Sequence, residues 1–366
     1  MARIVRTFHK RLSEQGLVDG VLAAGEHTSP TPFQERLSLS REFLSQWENT
    51  DDPIRSRAAN WYRGFTPKSA ALYDFNTYRP ADYVSDLHER YCWTINQPNV
   101  ELLTDKARFD RTLREHGYGS VLPTRFGRIE NGTFRGDDHD VATLLRREES
   151  LVIKPTGGAG GAGLYLCDLD RGVPQINGTR KSWAVVNDLV AHLSDHLVTE
   201  FVRQAAYAES IYPDTPNTIR VLTLNPSSGD PFVARAVHRL GSRTSGHVDN
   251  FSRGGLSAGI DEHGILGPAV RYAGGEVSWH ARHPDTGSRI DGVRVPGWAN
   301  IHETVLSIVD DIPAFKYVGW DILCTEAGPR LLEGNANTDT DLLQAHGPLL
   351  VDERIRAFYR ENGIVP

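Results

Sequence analysis

Residues 151–166 read LVIKPTGGAGGAGLYL. A β-branched run ends in Lys154 and Pro155, five glycines fall within the next eight residues, and a second apolar run follows. Glycine lets backbone N–H groups turn toward a ligand where a Cβ would clash. A lysine beside such a loop supplies a point charge suited to phosphate. The stretch predicts a cover over nucleotide phosphates with Lys154 as a ligand, while a glycine-rich surface loop that binds nothing stays open on this evidence. Gly158, Gly160 and Gly163 fit G-x-G-x-x-G, but that fingerprint needs a helix directly after the glycines. Leu164 to Cys167 read instead as a short strand, with no acidic residue on a further strand end about 20 residues on. Gly178 is followed by Thr179, Arg180 and Lys181, so a G-K-[ST] phosphate loop is absent as well. Strand, glycine loop, strand is a hairpin flap.

The rest of the composition bounds the setting. A chain of 366 residues has room for two or three domains. A net charge of −7 argues against a dedicated nucleic-acid binder. Cys92, Cys167 and Cys324 are widely spaced and odd in number, which fits reduced thiols in a cytoplasmic protein better than a disulfide frame or a zinc site. No run approaches a membrane span. MARIVRTFHKRL at the start lacks an apolar segment and does not read as a secretory signal.

Outward from the flap, helical spacing places Val5, Phe8 and Leu12 on one helix, and Leu39, Phe43, Leu44 and Trp47 on a second. Residues 53–100 are rich in aromatics, including Trp61, Phe65, Tyr73, Phe75 and Tyr83, with interleaved arginines that could suggest base stacking, a reading the acidic chain argues against. Ala81 to Cys92 reads as a short helix. Thr104 is the expected N-cap of a helix through Lys106, Phe109 and Leu113, stopped by Gly117 and Gly119. A strand is expected over Val121 to Ile129 and helices over 138–150 and Ser182 to His196. His192 and His196 would share a face of the last helix, where a solvated surface is the simpler reading than a metal site. Leu197 to Val202 reads as a strand. Asn217 to Leu224 and Phe232 to Arg239 alternate as neighbouring antiparallel strands. They carry Arg220, Arg235 and Arg239, either as solvated edges or as an anion pocket.

Tyr317 to Cys324 predicts a strand, Glu326 to Pro329 a tight turn, and Arg330 to Asn335 the returning strand. In that hairpin Asp321 and Glu333 stand nearly opposite each other, and Glu333 and Asn335, two apart, share a side. Two carboxylates in buried surroundings repel unless a cation lies between them. Hard oxygen ligands of this kind describe Mg²⁺ held against ATP.

The order of these elements resembles the ATP-grasp superfamily: Lys106 on a helix, Lys154 before the glycine flap, Glu200 at a hinge, Arg220 on a strand, then Asp321 and Glu333-x-Asn335. More narrowly, IYPDTPNTIRVLTL, VDNFSRGG, HPDTG and VGWDILCTEAGPRLLEGN resemble its sugar-transfer-associated branch, over roughly residues 81–350. The resemblance implies an α+β ATP-grasp fold in which two α+β subdomains clamp ATP, preceded by a helical N-terminal region. The expected division is 1–118 helical, 119–198 the small subdomain with its flap, and 199–366 the large subdomain with the metal site.

By that resemblance Lys106 and Lys154 hold phosphates and the adenine end, and Gly158, Gly160 and Gly161 belong to the flap. Glu200 and the backbone near Val202 receive adenine, with Gln204 or Glu209 on the ribose. Asp321, Glu333 and Asn335 hold Mg²⁺. Arg220 faces the transferred phosphoryl group, and Arg239 joins Arg220 and Lys154 as a catalytic candidate. The expected activity is an ATP-dependent ligase that joins a carboxylate to an amine through an acyl phosphate, releasing ADP and phosphate, in saccharide or secondary-metabolite biosynthesis. The alternatives are a phosphotransferase acting on a hydroxyl and a nucleotide-regulated accessory protein of polysaccharide assembly. Small-molecule acid and amine substrates are expected as partners, with neither nucleic acid nor membrane insertion.

Overall fold

The computed structural model describes residues 38–42, 59–158 and 161–366. The helix pair read between Val5 and Trp47 lies outside them, except that residues 38–42 are helical and Leu39 is buried. The chain divides into two compact units. One comprises Trp93–Arg271 with Trp279–Thr338; the other comprises Met1–Cys92, Tyr272–Ser278 and Asp339–Pro366.

Seven strands form a first sheet: β1 (Arg125–Glu130), β2 (Thr133–Gly136), β3 (Ser150–Pro155), β4 (Tyr165–Asp170), β5 (Val173–Ile176), β6 (Thr179–Arg180) and β7 (His196–Glu200). Their order is β2-β1-β7-β3-β4-β5-β6. Every neighbouring pair is antiparallel, so the glycine stretch joins two paired strands, β3 and β4, as a flap requires. Helices Val141–Glu148 and Trp183–His192 contribute Leu144, Leu145 and Val186 to a core with Ile129, Leu151, Ile153 and Val198. Burying each such side chain contributes about 2 kcal/mol. Both helices begin where a side-chain oxygen caps the first turn: Asp140 accepts from the Thr143 N–H, and Ser182 from the Val185 N–H.

A second sheet is built from β8 (Ile219–Leu224), β9 (Phe232–Leu240), β10 (Leu256–Ile260), β11 (Leu266–Ala273), β12 (Glu276–His280), β13 (Tyr317–Thr325) and β14 (Gly328–Asn335). Its order is β12-β11-β10-β9-β8-β13-β14. The period of two sorts each central strand by face. Ile219, Val221, Trp320 and Ile322 join a core with Ile301, Val305 and Ile308 of helix Trp298–Asp311. Arg220 and Asp321, the residues between them, project from the other face.

Four local expectations need correction. Thr104 closes a short helix, Glu101–Thr104, and Asp105 caps the next one, Lys106–Glu115, by accepting from the Ala107 and Arg108 N–H groups. The strand expected from Val121 begins at Arg125, because Tyr118–Val121 is a 3₁₀ turn. His192 ends its helix and His196 starts β7, so they share no helical face. Ala81 to Cys92 is broken into a 3₁₀ turn at Pro80–Asp82 and a four-residue helix at Asp86–Glu89.

In the second unit Phe65, Tyr73 and Tyr83 of the aromatic segment are core, while Tyr62 is exposed. Tyr73 stacks on Tyr83 with centroids 4.5 Å apart, and Phe65 and Phe75 meet them edge to face. Such pairs contribute about 1 kcal/mol each beyond area burial. The Gln344 side chain accepts from the Val84 N–H and donates to its carbonyl, at 2.8 and 2.9 Å. Ser69 and Thr66 donate to the half-buried Asp86 carboxyl, and Lys68 pairs with Asp341. Cys92, Cys167 and Cys324 are buried thiols, none of them in a disulfide. Among the described residues no helix is long and apolar enough to cross a membrane.

Candidate functional site

The strand register places charged residues in a row across the polar face of the second sheet. Arg220 on β8 is paired with Asp321 on β13, and Asp321 with Glu333 on β14. The hairpin geometry read from the turn is thus the geometry found, with a bulge immediately after Asp321. Arg220 Nε donates to Asp321 Oδ1 at 2.6 Å, and its Nη1 donates to the Thr338 hydroxyl at 2.7 Å. Arg239, two residues beyond the Val237 partner of Arg220, brings Nη1 to 3.5 Å from Asp321 Oδ2. Gly319 makes room for this: a Cβ there would stand 2.4 Å from the Thr338 hydroxyl.

Two lysines reach the strand that carries Glu333 from other elements. Lys106, the first residue of its helix, places Nζ 3.4 Å from Glu333 Oε2 and donates to the Gly158 carbonyl at 2.7 Å. Lys154, near the end of β3, donates to the Leu332 carbonyl at 3.1 Å. Its burial, helped by the Lys106 charge, pulls the Lys154 ammonium below its ordinary pKa, against the opposing pull of Glu333. Burial would push the Asp321 carboxyl up, but Arg220 and Arg239 more than offset it and bring it down to about 2. The two arginines are therefore neither solvated edges nor spare charge: they hold Asp321 ionised inside the protein.

This alters the case for a metal. The acidic pair does not need a cation to exist, since Arg220, Arg239 and Lys106 already balance it. Among the described residues no group of three or more His, Cys, Asp or Glu gathers to hold a metal. The donor chemistry still fits Mg²⁺. Two carboxylates face each other in register, and Asn335 donates through Nδ2 to the Gly319 carbonyl at 3.1 Å, which leaves its oxygen turned away from that bond.

The flap root is ordered toward the same place. The Lys106 N–H donates to the Thr156 carbonyl at 2.8 Å. Gly158 has φ +87° and Gly161 φ +72°, conformations that favour glycine. A Cβ at Gly161 would stand 3.3 Å from Val248, so the flap meets the loop that carries Asp249. Gly160 lies outside the described residues.

The residues expected at the adenine end run from Glu200, the last residue of β7, into the segment that follows it. Glu200 donates its N–H to the Thr124 carbonyl, and its Oε2 accepts from the Thr124 N–H, both at 2.9 Å. Val202 is buried. Gln204 has a different task from the ribose contact expected of it. Its Nε2 donates to the Tyr212 and Thr215 carbonyls, and its Oε1 accepts from the Asn217 N–H and Nδ2 at 2.9 and 3.0 Å. That amide is consumed inside its own loop, and Glu209 remains as the exposed candidate nearby.

Three participants were not singled out from the sequence: Thr218, Asp249 and Thr338. Asp249 stood inside the quoted VDNFSRGG, and Thr218 inside the alternating run from Asn217 to Leu224, so only position hinted at either. HPDTG proves to be a clasp. His283 bonds through Nε2 to the Gly241 carbonyl at 2.8 Å and accepts from the Asp285 N–H through Nδ1 at 3.2 Å.

A comparison with curated proteins finds no match. Among solved structures, the chain is similar to N5-carboxyaminoimidazole synthetase from Staphylococcus aureus complexed with ADP, at 10% identity and TM-score 0.38, covering 66% of this chain and 47% of that one. It is also similar to L-amino acid ligase from Bacillus licheniformis, at 11% identity and TM-score 0.37, covering 66% and 42%. A third is the VanG D-Ala:D-Ser ligase from Enterococcus faecalis, at 12% identity and TM-score 0.40, covering 71% and 62%. The chain thus spans less than two thirds of the length of each of these proteins. The sequence profile of the sugar-transfer associated ATP-grasp family matches residues 86–356, most of the chain. Its two antiparallel sheets with flanking helices are an α+β ATP-grasp fold, and the chain belongs to the sugar-transfer associated ATP-grasp family.

Proposed function

We propose that this protein is an ATP-dependent ligase that joins a carboxylate to an amine. The observation that carries the reading is that Lys106, Arg220 and Arg239 converge on Asp321 and Glu333, while Lys154 binds the Leu332 carbonyl beside Glu333, at the root of a glycine flap. Four cations from four separate elements, set around a carboxylate pair, suit a polyphosphate whose charge must be held while a phosphoryl group passes.

In this reading Lys106 and Lys154 bind the phosphates at the flap root, and Glu200 with the backbone at Val202 receives adenine. Asp321, Glu333 and Asn335 would hold Mg²⁺, which when bound would neutralise phosphate charge. Arg220 and Arg239 face the transferred group. A carboxylate oxygen of the acid attacks the γ-phosphorus, and the bond to the ADP oxygen breaks. The acyl phosphate then meets the amine: a C–N bond forms, the C–O bond to phosphate breaks, and the nitrogen gives up a proton. The flap keeps water from the acyl phosphate. Saccharide or secondary-metabolite assembly is the setting in which we place the acid and amine.

The test is turnover. Purified protein with ATP, Mg²⁺ and a panel of carboxylic acids, with hydroxylamine as the amine, is expected to release ADP and form a hydroxamate. Absence of both across the panel would remove the ligase reading. A stable phosphoester formed without hydroxylamine would replace it with phosphotransfer to a hydroxyl.

A further inference from the structure

Arg239 is held in a way that Arg220 is not. A guanidinium offers five N–H donors in a rigid planar fork. On Arg239, Nη2 donates to Asp249 Oδ1 at 2.8 Å, while Nε donates to the Thr218 hydroxyl at 3.0 Å and lies 3.4 Å from Asp249 Oδ2. One whole edge of the fork is thereby occupied. The remaining corner, Nη1, is the one presented to Asp321. Asp249 is itself fixed: Oδ2 accepts from the Thr218 N–H at 2.8 Å and from the Thr218 hydroxyl at 2.5 Å. Both the Arg239 and Asp249 side chains are nearly buried, at 13% and 8% exposure. The loop closes tightly around the aspartate, since a Cβ at Gly255 would stand 2.9 Å from the Asp249 and Asn250 carbonyls.

We propose that Asp249, braced by Thr218, is a positioning residue that aims the Nη1 corner of Arg239 at the terminal phosphoryl group of the bound nucleotide. This rests on the ATP-dependent reading above. A carboxylate that binds one edge of the fork leaves the guanidinium charged and unable to rotate. Its free corner then stands beside Asp321, where the γ-phosphate of the nucleotide would lie. Arg220 spends Nε on Asp321 and Nη1 on Thr338, and neither of its bonds involves Asp249. The consequence is specific: Asp249 contributes to recognition of the third phosphate and not of the first two.

Binding of Mg·AMP-PNP and Mg·ADP to the full chain, measured by calorimetry, tests this without knowledge of the acid or amine. A single charge-assisted contact to the third phosphate corresponds to roughly a tenfold preference for AMP-PNP in the wild type. Asp249→Asn is expected to remove most of that preference while leaving ADP affinity within about twofold. Arg239→Lys, which keeps the charge but loses the fork, is expected to behave in the same way, and the double variant to be no worse than Arg239→Lys alone. Thr218→Val, which keeps the carboxylate but removes its hydroxyl brace, is expected to reduce the preference partly, and it reports even if Asp249→Asn does not fold. Equal loss of affinity for both nucleotides in Asp249→Asn would mean a structural role only, and an unchanged preference would mean no role; either overturns the positioning proposal alone. Failure of the wild type to bind either nucleotide overturns it together with the reading on which it rests.

Discussion

Replacing Arg220 by methionine removes the strongest partner of Asp321 while keeping a side chain of similar length. The variant loses the 2.6 Å bond to Asp321 and the 2.7 Å bond to Thr338, leaving the buried carboxylate with Arg239 alone at 3.5 Å. Two routes give the magnitude. Breaking a buried ion pair on one side costs about 3–5 kcal/mol. Separately, holding the Asp321 carboxyl at about 2 against an ordinary 3.8 represents about 2 kcal/mol at neutral pH. Arg239 retains part of the compensation, so the expected loss is about 3 kcal/mol. The sign with pH follows from the depressed folded pKa. The stabilisation is present above the unfolded value of 3.8 and is lost as pH falls toward 2, so the wild-type advantage narrows in acid. Urea unfolding of the wild type, Arg220→Met, Asp321→Asn and the double variant gives the coupling directly. The expected coupling is about 2 kcal/mol at pH 7. Additive single effects, within about 0.5 kcal/mol, would show that the pair carries no energy and refute the charge balance described for the site.

Lys154→Met and Glu333→Gln are each expected to abolish ADP release without changing the circular dichroism spectrum; wild-type rates in either would take that residue out of the site. Gln204→Ala is expected to destabilise the chain by about 2 kcal/mol or more, because four hydrogen bonds of its loop lose their partner, while nucleotide affinity is unchanged. A lost affinity with full stability would return Gln204 to the ribose. Asp86, pushed by burial up to about 6 despite bonds from Ser69 and Thr66, is ionised at a cost in the folded state above that pH. Its raised pKa contributes stability below 3.8 that is lost as pH rises through 6, about 3 kcal/mol in all. Asp86→Asn should therefore gain on the wild type in urea unfolding as pH rises from 4 to 7, and a constant difference across that range would contradict this.

What could be read from the chain was local in sequence or periodic. The β13–β14 hairpin has a short turn, so counting outward from it put Asp321 opposite Glu333, and the period of two put Arg220 on the face away from Ile219 and Val221. The glycines between a β-branched run and an apolar run that reads as a strand announced a flap. What could not be read depends on residues far apart. That Arg220 and Arg239 stand beside Asp321 could not be read, because they arrive from strands roughly a hundred residues earlier. Gln204 sits where a ribose ligand was expected, yet its amide is used up by Tyr212, Thr215 and Asn217 through a loop whose path no periodicity reveals. Thr104 and Asp105 are both good caps. The choice between them turned on a short preceding helix that ends at Thr104.

The most direct measurement of the ligase chemistry follows an oxygen atom. With ATP, Mg²⁺, hydroxylamine and an acid labelled with ¹⁸O in its carboxylate, passage through an acyl phosphate predicts that each hydroxamate formed is accompanied by phosphate carrying one ¹⁸O from the acid. Hydroxamate accompanied by unlabelled phosphate would contradict it.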